Sequence, residues 1–347
     1  MKKSILLLAV ALLVAGVGAT AQNQVDRQGR RQGHWVRTDK DGSKIFEGDF
    51  KDGLETGIFT YYYANGTVRI RNTFSEPGRV CLHEAYDEQG HLLARGHYNQ
   101  RNRDGQWQFF ANDGRLVKIA TYSMGVKNGP HIVFEQNGDT AEIAHWVNNH
   151  RHGRWWRRIG KQGYITGNYV DGALEGRLVE YDDNGALVRQ GTYSSGLKHG
   201  EFLHYADGIL VVKERWNRGF MNDRELRLPT ASGERFVSIH DIVCIAAQGK
   251  SKTLVVLDNG EKIVANENYD PLFYRAGDEL FALANIKSHI TVARSAIQGI
   301  RKDREGRDIL ILEPQPDFPI FPDENAVKMF NAIQLDEQAP LEHLIDR

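Results

Sequence analysis

The stretch GRLVEYDDNGALVRQGTYSSGLKH, residues 176 to 199, decides the fold because variants of it recur along more than half of the chain. Three markers return in phase about once every 24 residues, which indicates an internal repeat of about eight units. The opening glycine of the units is found at Gly33, Gly57, Gly105, Gly129, Gly153, Gly176 and Gly200. The middle of each unit carries another glycine, at Gly42, Gly66, Gly90, Gly114, Gly138, Gly163, Gly185 and Gly208. An aromatic residue follows, at Phe50, Phe74, Tyr98, Tyr122, Trp146, Tyr169, Tyr193 and Trp216.

Each unit consists of two short apolar runs, and a turn follows each run. The turn in the middle of the unit contains Asn or Asp followed by Gly, a pair that tolerates the positive φ of a type I′ turn. Such a pair between two apolar runs predicts a β-hairpin. The pairs are Asn65-Gly66, Asp113-Gly114, Asn137-Gly138, Asn184-Gly185 and Asp207-Gly208.

A single hairpin of about 24 residues is marginally stable in water, so the units are expected to stack side by side. The predicted fold is mainly β: an elongated antiparallel ribbon of about eight hairpin repeats of about 24 residues. A second ring two residues after the opening glycine would let large rings meet across strands on one face. These rings are Trp35, Phe59, Trp107, Trp155 and Phe202.

The phrase Gly191-Thr-Tyr193-Ser-Ser-Gly196-Leu-Lys-His199-Gly200-Glu-Phe202 resembles the MORN repeat in its bacterial variant form, and similar phrases cover residues 33 to 219. The resemblance implies an extended scaffold that contacts protein or lipid, without catalytic residues; some bacterial relatives carry an antitoxin label. The sequence departs from the pattern at Cys81, at Arg101 and Asn149 where a turn glycine is expected, and at residues 160 to 163.

Residues 1 to 21 have the features of a secretory signal peptide: a basic start, an apolar run over residues 5 to 17, and the cleavage pattern Ala19-Thr20-Ala21. The apolar run is too short for a membrane-spanning helix. We therefore expect cleavage before Gln22 and export to the periplasm, the cell envelope or the medium. The alternative is an N-terminal membrane anchor that is never cleaved.

The repeat period stops after Gly219, and residues 220 to 234 are expected to be a polar linker. Residues 235 to 335 are predicted to be a separate small β-rich domain, with one closing helix over residues 323 to 333 and a tail over residues 336 to 347. The predicted strands span residues 236–239, 242–247, 253–257, 262–265, 290–300 and 308–312. Residues 235 to 333 show a fainter similarity to LytTR-type DNA-binding domains, but the basic groove-reading segment is largely missing at Lys287-Ser288-His289.

The composition narrows the class of partner. The chain has 44 Lys and Arg residues against 45 Asp and Glu, which gives a formal net charge of -1. This near-neutral balance provides no general attraction to nucleic acid. The two cysteines, Cys81 and Cys244, are expected to be separate thiols, with a disulfide as the alternative.

Two local clusters are the candidate binding residues. In Arg154-Trp155-Trp156-Arg157-Arg158, strand alternation sends Trp155 and Arg157 to one face and Trp156 and Arg158 to the other. In Tyr61-Tyr62-Tyr63, rings likewise alternate between the faces. Either cluster has a structural interpretation, as core aromatics with solvated arginines, beside the interpretation as a contact patch.

No pattern typical of an enzyme was found: no serine in a nucleophile elbow, no cysteine with a phased histidine and no phosphate-binding glycine loop. The histidines His145, His150 and His152 lack the accompanying ligands of a metal site. We therefore expect a non-enzymatic exported scaffold, without cofactor or metal, that presents its repeat surface to a protein or cell-envelope partner. The alternatives are an envelope module that binds glycan or lipid, and an antitoxin-like or regulatory protein as the MORN resemblance implies.

Overall fold

The computed structural model describes residues 22 to 277, 289 to 316, 319 to 322 and 327, together with the backbone of residues 283 to 285. The predicted signal peptide, the tail and, apart from residue 327, the predicted closing helix lie outside the described residues. The chain divides into two compact units, residues 1 to 151 and residues 152 to 347.

The first unit is built from consecutive strands that pair antiparallel with their neighbours in sequence. Its strands are β1 (Gln24–Val25), β2 (Arg31–Thr38), β3 (Lys44–Lys51), β4 (Leu54–Tyr62), β5 (Val68–Glu76), β6 (Val80–Tyr86), β7 (Leu92–Asn99), β8 (Asn102–Phe110), β9 (Leu116–Ser123), β10 (Val126–Phe134) and β11 (Thr140–Val147). Each repeat contributes two strands, as the hairpin pattern predicts.

The second unit continues with the same hairpins and ends in a smaller β-rich region. Its repeat strands are β12 (His150–Ile159), which begins at the end of the first unit, β13 (Gly163–Val170), β14 (Ala173–Leu174), β15 (Gly176–Tyr181), β16 (Leu187–Ser194), β17 (Leu197–Ala206), β18 (Ile209–Asn217), β19 (Phe220–Thr230) and β20 (Gly233–Ser238). The prediction of a mainly β chain made of antiparallel hairpin repeats and a β-rich C-terminal region is confirmed.

The C-terminal region holds one sheet, one separate hairpin and one short helix among the described residues. The sheet has the order β23-β22-β21-β25-β24. Its members are β21 (Ile242–Ala247), β22 (Thr253–Leu257), β23 (Lys262–Ala265), β24 (Leu283–Asn285) and β25 (Ile290–Val292); the hairpin is β26 (Ile297–Lys302) with β27 (Asp308–Leu312). The strand predicted over residues 290 to 300 is therefore divided between β25 and β26. The helix α1 (Tyr269–Ala276) was not predicted, because its eight residues are too few for a clear helical period.

Residues 220 to 234 were expected to be a linker, but they form β19 and the start of β20. The polar residues of this segment hid an alternation in which Leu226 and Leu228 point inward, both fully buried. These leucines belong to the same core as Ile245 of β21 and Leu272 of α1. The C-terminal region thus shares its core with the last repeat strands.

The type I′ turns occur mainly between repeat units and not in the middle of them. At Asp52-Gly53 both residues have positive φ, 52° and 82°. In the middle of a unit the chain instead uses its Asn or Asp side chain: Oδ1 of Asn65 accepts a hydrogen bond from the backbone of Thr67 at 2.9 Å. Such an Asx turn needs positive φ only at the following glycine. The predicted turn type is therefore wrong for Asn65, Asp113, Asn137 and Asn184 and right for Asp207.

The buried face of the repeat depends on a close contact between a ring and a glycine on the preceding strand. A Cβ atom built on Gly48 would lie 2.2 Å from the ring of Phe59, and one on Gly96 would lie 2.3 Å from the ring of Trp107. Phe59 and Trp107 are each only 1% exposed. The same contact joins Gly191 and Phe202, at 2.3 Å. A strand position without a side chain is therefore what lets each ring lie flat against the sheet.

None of the helices among the described residues has the length and apolar character needed to span a membrane.

Replacing Gly191 with Ala is expected to lower the free energy of unfolding by about 1–3 kcal/mol, because the new methyl group overlaps the Phe202 ring and forces it to move. Gly299 is the matched control, because it also lies in a strand and a Cβ there would have open space around it. Chemical unfolding of Gly191→Ala and Gly299→Ala would measure the difference. Equal stabilities of the two variants would contradict the ring–glycine contact.

Candidate functional site

A small residue at a fixed position forms a fourth repeat marker, and it fails at two positions. The marker lies eleven positions before the ring position of the next repeat, and its series is Gly48, Asn72, Gly96, Ala120, Ala144, Gly167, Gly191 and Glu214. Asn72 and Glu214 are the two polar members. At these two positions a polar side chain replaces the small residue of the buried face. Asn72 lies in the first of the two compact units of the chain and Glu214 in the second.

In the first unit, the departure opens a cleft of about 370 Å³ between strands of the third repeat and its neighbours. We call it the third-unit cleft, after the third repeat unit, which opens at Cys81. The cleft is lined by Glu55, Tyr61, Ile70, Asn72, Phe74, Gly78, Arg79, Cys81, His83, Tyr98 and Arg101. Four of these residues replace a repeat marker: Asn72 stands for a small residue, Cys81 for the opening glycine, His83 for a large ring, and Arg101 for a turn glycine.

His83 and Asn72 form a polar pair at the base of this cleft. Nδ1 of His83 lies 2.8 Å from Oδ1 of Asn72. The imidazole meets the Tyr98 ring edge-on, with 5.0 Å between centroids, and lies 5.6 Å from the Trp107 ring. Burial, assisted by the positive charge of Arg103, lowers the pKa of His83. At neutral pH the cleft therefore presents a neutral imidazole where the repeats on either side present the rings of Phe59 and Trp107.

Among the charged residues described, the carboxylate of Glu55 and the guanidinium groups of Arg79 and Arg101 line the cleft. Oη of Tyr61 donates a hydrogen bond to Oε1 of Glu55 at 3.3 Å, and burial raises the pKa of Tyr61 to about 12. Nη1 of Arg79 lies 3.0 Å from Oε2 of Glu76, and both side chains are exposed. The guanidinium of Arg101 has no ion-pair or hydrogen-bond partner within the part of the chain that the structure describes.

Cys81 alters the backbone of this repeat as well as the cleft wall. The opening glycines have positive φ, for example 61° at Gly57, and the strands slip in register there. Cys81 instead pairs directly with Phe74. The register shift between β5 and β6 lies closer to the turn that joins these strands, between Phe74 and Glu76. Its thiol is buried, and burial raises its pKa. Cys81 and Cys244 are both free, as expected from the sequence.

The three consecutive tyrosines do not form a single patch. Tyr61 packs against Phe59 with 5.4 Å between ring centroids and belongs to the cleft wall. Tyr62, the next residue of the strand, donates from Oη to Glu47, and burial raises its pKa to about 12. Tyr63 donates from Oη to the backbone oxygen of Tyr86 at 2.8 Å. Each phenol thus has a partner within the protein.

The Arg-Trp-Trp-Arg-Arg cluster is divided between the two faces of β12, as strand alternation predicts. Trp155 is 8% exposed and meets Tyr169 edge-on, with 5.8 Å between centroids. Trp156 is half-buried on the other face, where Arg158 Cζ lies 6.0 Å from its ring. Arg154 and Arg157 are exposed.

Trp156 is the end of a row of stacked rings that crosses three strands. Its ring lies 6.0 Å from that of Tyr164 at an interplanar angle of 29°, and Tyr164 lies 4.9 Å from Tyr181 at 30°. Nη1 of Arg158 donates to the backbone oxygen of Lys161 at 2.6 Å. We call Trp156, Arg158, Tyr164 and Tyr181 the aromatic platform.

In the second unit, Glu214 is a buried charge that joins the last repeats to the C-terminal region. It is 4% exposed and accepts hydrogen bonds from Arg224 Nη2 and Trp216 Nε1, each at 2.8 Å. Arg224 also donates from Nη1 to the backbone oxygen of Ala276, at the end of α1, at 3.1 Å. This network has a structural role, because its polar groups form hydrogen bonds and ion pairs with one another.

Burial alone would raise the pKa of Glu214, but hydrogen bonds from His204, Trp216 and Arg224 outweigh it and lower the pKa to about 2. Nε2 of His204 lies 3.3 Å from the carboxylate. Because the pKa in the folded state lies below the usual value of 4.5, the ionised carboxylate stabilises the fold above that value.

The histidines at 145, 150 and 152 are not gathered into a metal site. Nδ1 of His152 lies 3.4 Å from Oδ1 of Asp171, across the β12–β13 hairpin. Within the described ranges, no group of three or more His, Cys, Asp or Glu side chains is placed to hold a metal ion.

The sequence prediction missed the pair Asn72–His83, the partners Tyr164 and Tyr181 of Trp156, and Glu214. The series of small residues would have identified Asn72 and Glu214, since each breaks a spacing that is otherwise kept. Tyr164 and Tyr181 could not be identified in this way, because their meeting with Trp156 depends on strand register.

Replacing Glu214 with Gln is expected to flatten the acid dependence of stability. The wild-type protein should lose on the order of 3 kcal/mol of stability from this group as the pH falls from 4.5 toward 2, since the carboxylate must then be protonated. Chemical unfolding at several pH values would measure the slope. Glu76→Gln is the control, because Glu76 pairs with Arg79 and both side chains are exposed; an unchanged slope in Glu214→Gln would contradict the assignment.

Comparison with known proteins identifies the repeat type. The family model described as "MORN repeat variant" matches residues 55–76 and 174–195. No curated protein matches the chain. Among solved structures, "Crystal Structure of TcdB2-TccC3-TEV" is similar over 81% of this chain but only 15% of that chain, at 12% identity and a TM-score of 0.16, and it carries no argument about fold or function. The chain thus contains repeats of the MORN variant type, which suggests a repeat-based role in protein interaction or at a membrane.

Proposed function

We propose that this chain is a non-enzymatic exported scaffold whose repeat surface holds a protein partner in the cell envelope. The MORN variant repeats support an interaction role, and the secretory features of residues 1 to 21 support export. The observation that carries the proposal is the aromatic platform, which presents Trp156 on the face of β12 opposite the buried Trp155.

The platform has the composition and order of a binding surface. Trp, Tyr and Arg are the residue types that most often dominate the binding energy of protein interfaces. Here the rings of Trp156, Tyr164 and Tyr181 already stack on one another, so binding would immobilise few additional side chains. Their exposed edges combine apolar area with polar groups in one row across the sheet.

The state of the described nucleophiles supports a role without catalysis. Burial raises the pKa of Cys244 to about 12 and also raises that of Cys81, so neither thiol is activated as a nucleophile. Burial likewise lowers the pKa of His131, whose Nε2 lies 3.2 Å from the backbone oxygen of Thr121. These groups are used in packing and in local hydrogen bonds.

A protein partner fits the platform better than a sugar does. A sugar stacks on the free face of an aromatic ring, but Tyr164 covers a face of Trp156, and Arg158 also lies over that ring. Little ring face is therefore left for stacking. A glycan- or lipid-binding envelope module stays the alternative, and an antitoxin-like role would require a protein retained in the cytoplasm.

Replacing Trp156 with Ala is expected to reduce the yield of a crosslinked partner in intact cells at least about tenfold, as for loss of an interface hot spot. Phe220→Ala is the matched control, because Phe220 is 78% exposed on β19, several strands away from the platform. Equal melting temperatures would show that both variants fold. Loss of the partner in Phe220→Ala but not in Trp156→Ala would contradict the proposal.

Export predicts that the mature protein starts at Gln22. Mass spectrometry of the protein from fractionated cells should find this N-terminus in the periplasm, the envelope or the medium. A charged residue in the apolar run, as in Leu8→Arg, should block translocation and leave the uncleaved chain in the cytoplasm. A full-length wild-type chain recovered from the cytosol would contradict export and favour the antitoxin-like alternative.

A further inference from the structure

The third-unit cleft is where four departures from the repeat pattern meet. Asn72, Cys81, His83 and Arg101 all line it, although they lie on three different segments of the chain. Each replaces a residue that the repeat uses for packing or for turn geometry. Departures from local folding rules that gather in one cavity are expected at functional sites.

Arg101 gives the strongest sign that the cleft receives a ligand. It occupies a turn position where other repeats have glycine, and its φ is 66°, a left-handed conformation that a long side chain rarely adopts. Its guanidinium has no ion-pair or hydrogen-bond partner among the residues described. A strained backbone that carries an unpaired charge at the mouth of a cleft points to an anionic group outside the protein.

A second guanidinium lies close to the same mouth. The backbone N–H of Gln100 donates to the backbone oxygen of Arg79 at 2.8 Å, so the turns that carry Arg79 and Arg101 are adjacent. The ion pair of Arg79 with Glu76 is exposed on both sides, and such pairs exchange readily for another anion. Glu55 is the one carboxylate among the described residues that line the cleft, and it accepts a hydrogen bond from Tyr61 Oη.

The walls of the cleft are suited to an apolar body. Ile70, Phe74 and the rings of Tyr61 and Tyr98 line it, with His83 and Asn72 at its base. A volume of about 370 Å³ lies at the small end of the range for ligand pockets. This is room for one aromatic ring with a short substituent.

We propose that the third-unit cleft binds a small carboxylate with a ring-sized apolar body, the carboxylate between Arg101 and Arg79 and the body against Tyr61, Phe74 and Tyr98. A divalent cation fits poorly, because the described lining residues include a single carboxylate. An inorganic anion would leave the aromatic walls without contacts. The site lies in the first unit and is independent of the aromatic platform, which lies in the second.

Calorimetric titration of the mature protein would test the chemistry with defined probes. Phenylacetate should bind with a dissociation constant below about 1 mM, whereas its neutral analogue phenylacetamide and inorganic phosphate should each bind at least about tenfold more weakly. The tripeptide Ala-Ala-Phe, with a free or an amidated C-terminus, would distinguish a peptide C-terminus from a free small molecule as the source of the carboxylate. Absence of binding by both phenylacetate and the free tripeptide would overturn the proposal.

Arg101→Gly separates binding from folding. This substitution restores the repeat glycine and removes the strained φ, so the variant should be at least as stable as the wild type. Its affinity for the anionic probe should nevertheless fall at least about tenfold. Asn149→Gly makes the same change at the equivalent turn, where φ is 67°, and should leave affinity unchanged. Equal affinities in the two variants would overturn the role of Arg101.

The double variant Asn72→Gly/His83→Phe tests the cleft itself. It rebuilds the contact that Gly48 and Phe59 make in the preceding repeat, and should therefore fill the base of the cleft with a ring and raise the melting temperature. Both arginines are kept, yet binding of the aromatic probe should be lost. Wild-type affinity in this stabilised variant would show that the probe binds outside the cleft and would overturn the proposal.

Discussion

Three large rings on the buried face of the repeat each lie against a strand position that has no side chain. Phe59 lies where a Cβ on Gly48 would be, and Trp107 and Phe202 stand in the same relation to Gly96 and Gly191. The contact joins consecutive hairpins, so each repeat is stabilised chiefly by its neighbours in sequence. A hairpin of this size would not be stable without such contacts.

Two positions of the repeat lack the small residue that this contact requires, and the structure differs at each of them. Asn72 and Glu214 both put a polar side chain where the repeat requires a small one, with opposite results. Glu214 is enclosed by Arg224, Trp216 and His204, and its network ties the last repeats to α1. Asn72 pairs with the smaller ring of His83, and a cleft is left open. One departure thus strengthens a junction within the second unit, and the other creates a binding site in the first.

The glycine and ring spacings were enough to predict the hairpins, and strand alternation placed Trp155 and Trp156 on opposite faces. The sequence was not enough where the result depends on contacts distant along the chain. The alternation of Leu226 and Leu228 was hidden among charged residues whose partners lie on other strands, so β19 was taken for a linker. The meeting of Trp156, Tyr164 and Tyr181 likewise depends on register across three strands. The LytTR-like similarity of residues 235 to 333 stays a prediction.

The central claim is that ring–glycine contacts hold neighbouring hairpins together and that the third repeat gives up this contact to form a cleft. Native-state hydrogen exchange, resolved by peptide, tests it most directly. The account predicts that β5 and β6, which carry Asn72 and His83, exchange through openings of lower free energy than β7 and β8, which carry Gly96 and Trp107. Equal protection of the two hairpins, or stronger protection of β5 and β6, would contradict it.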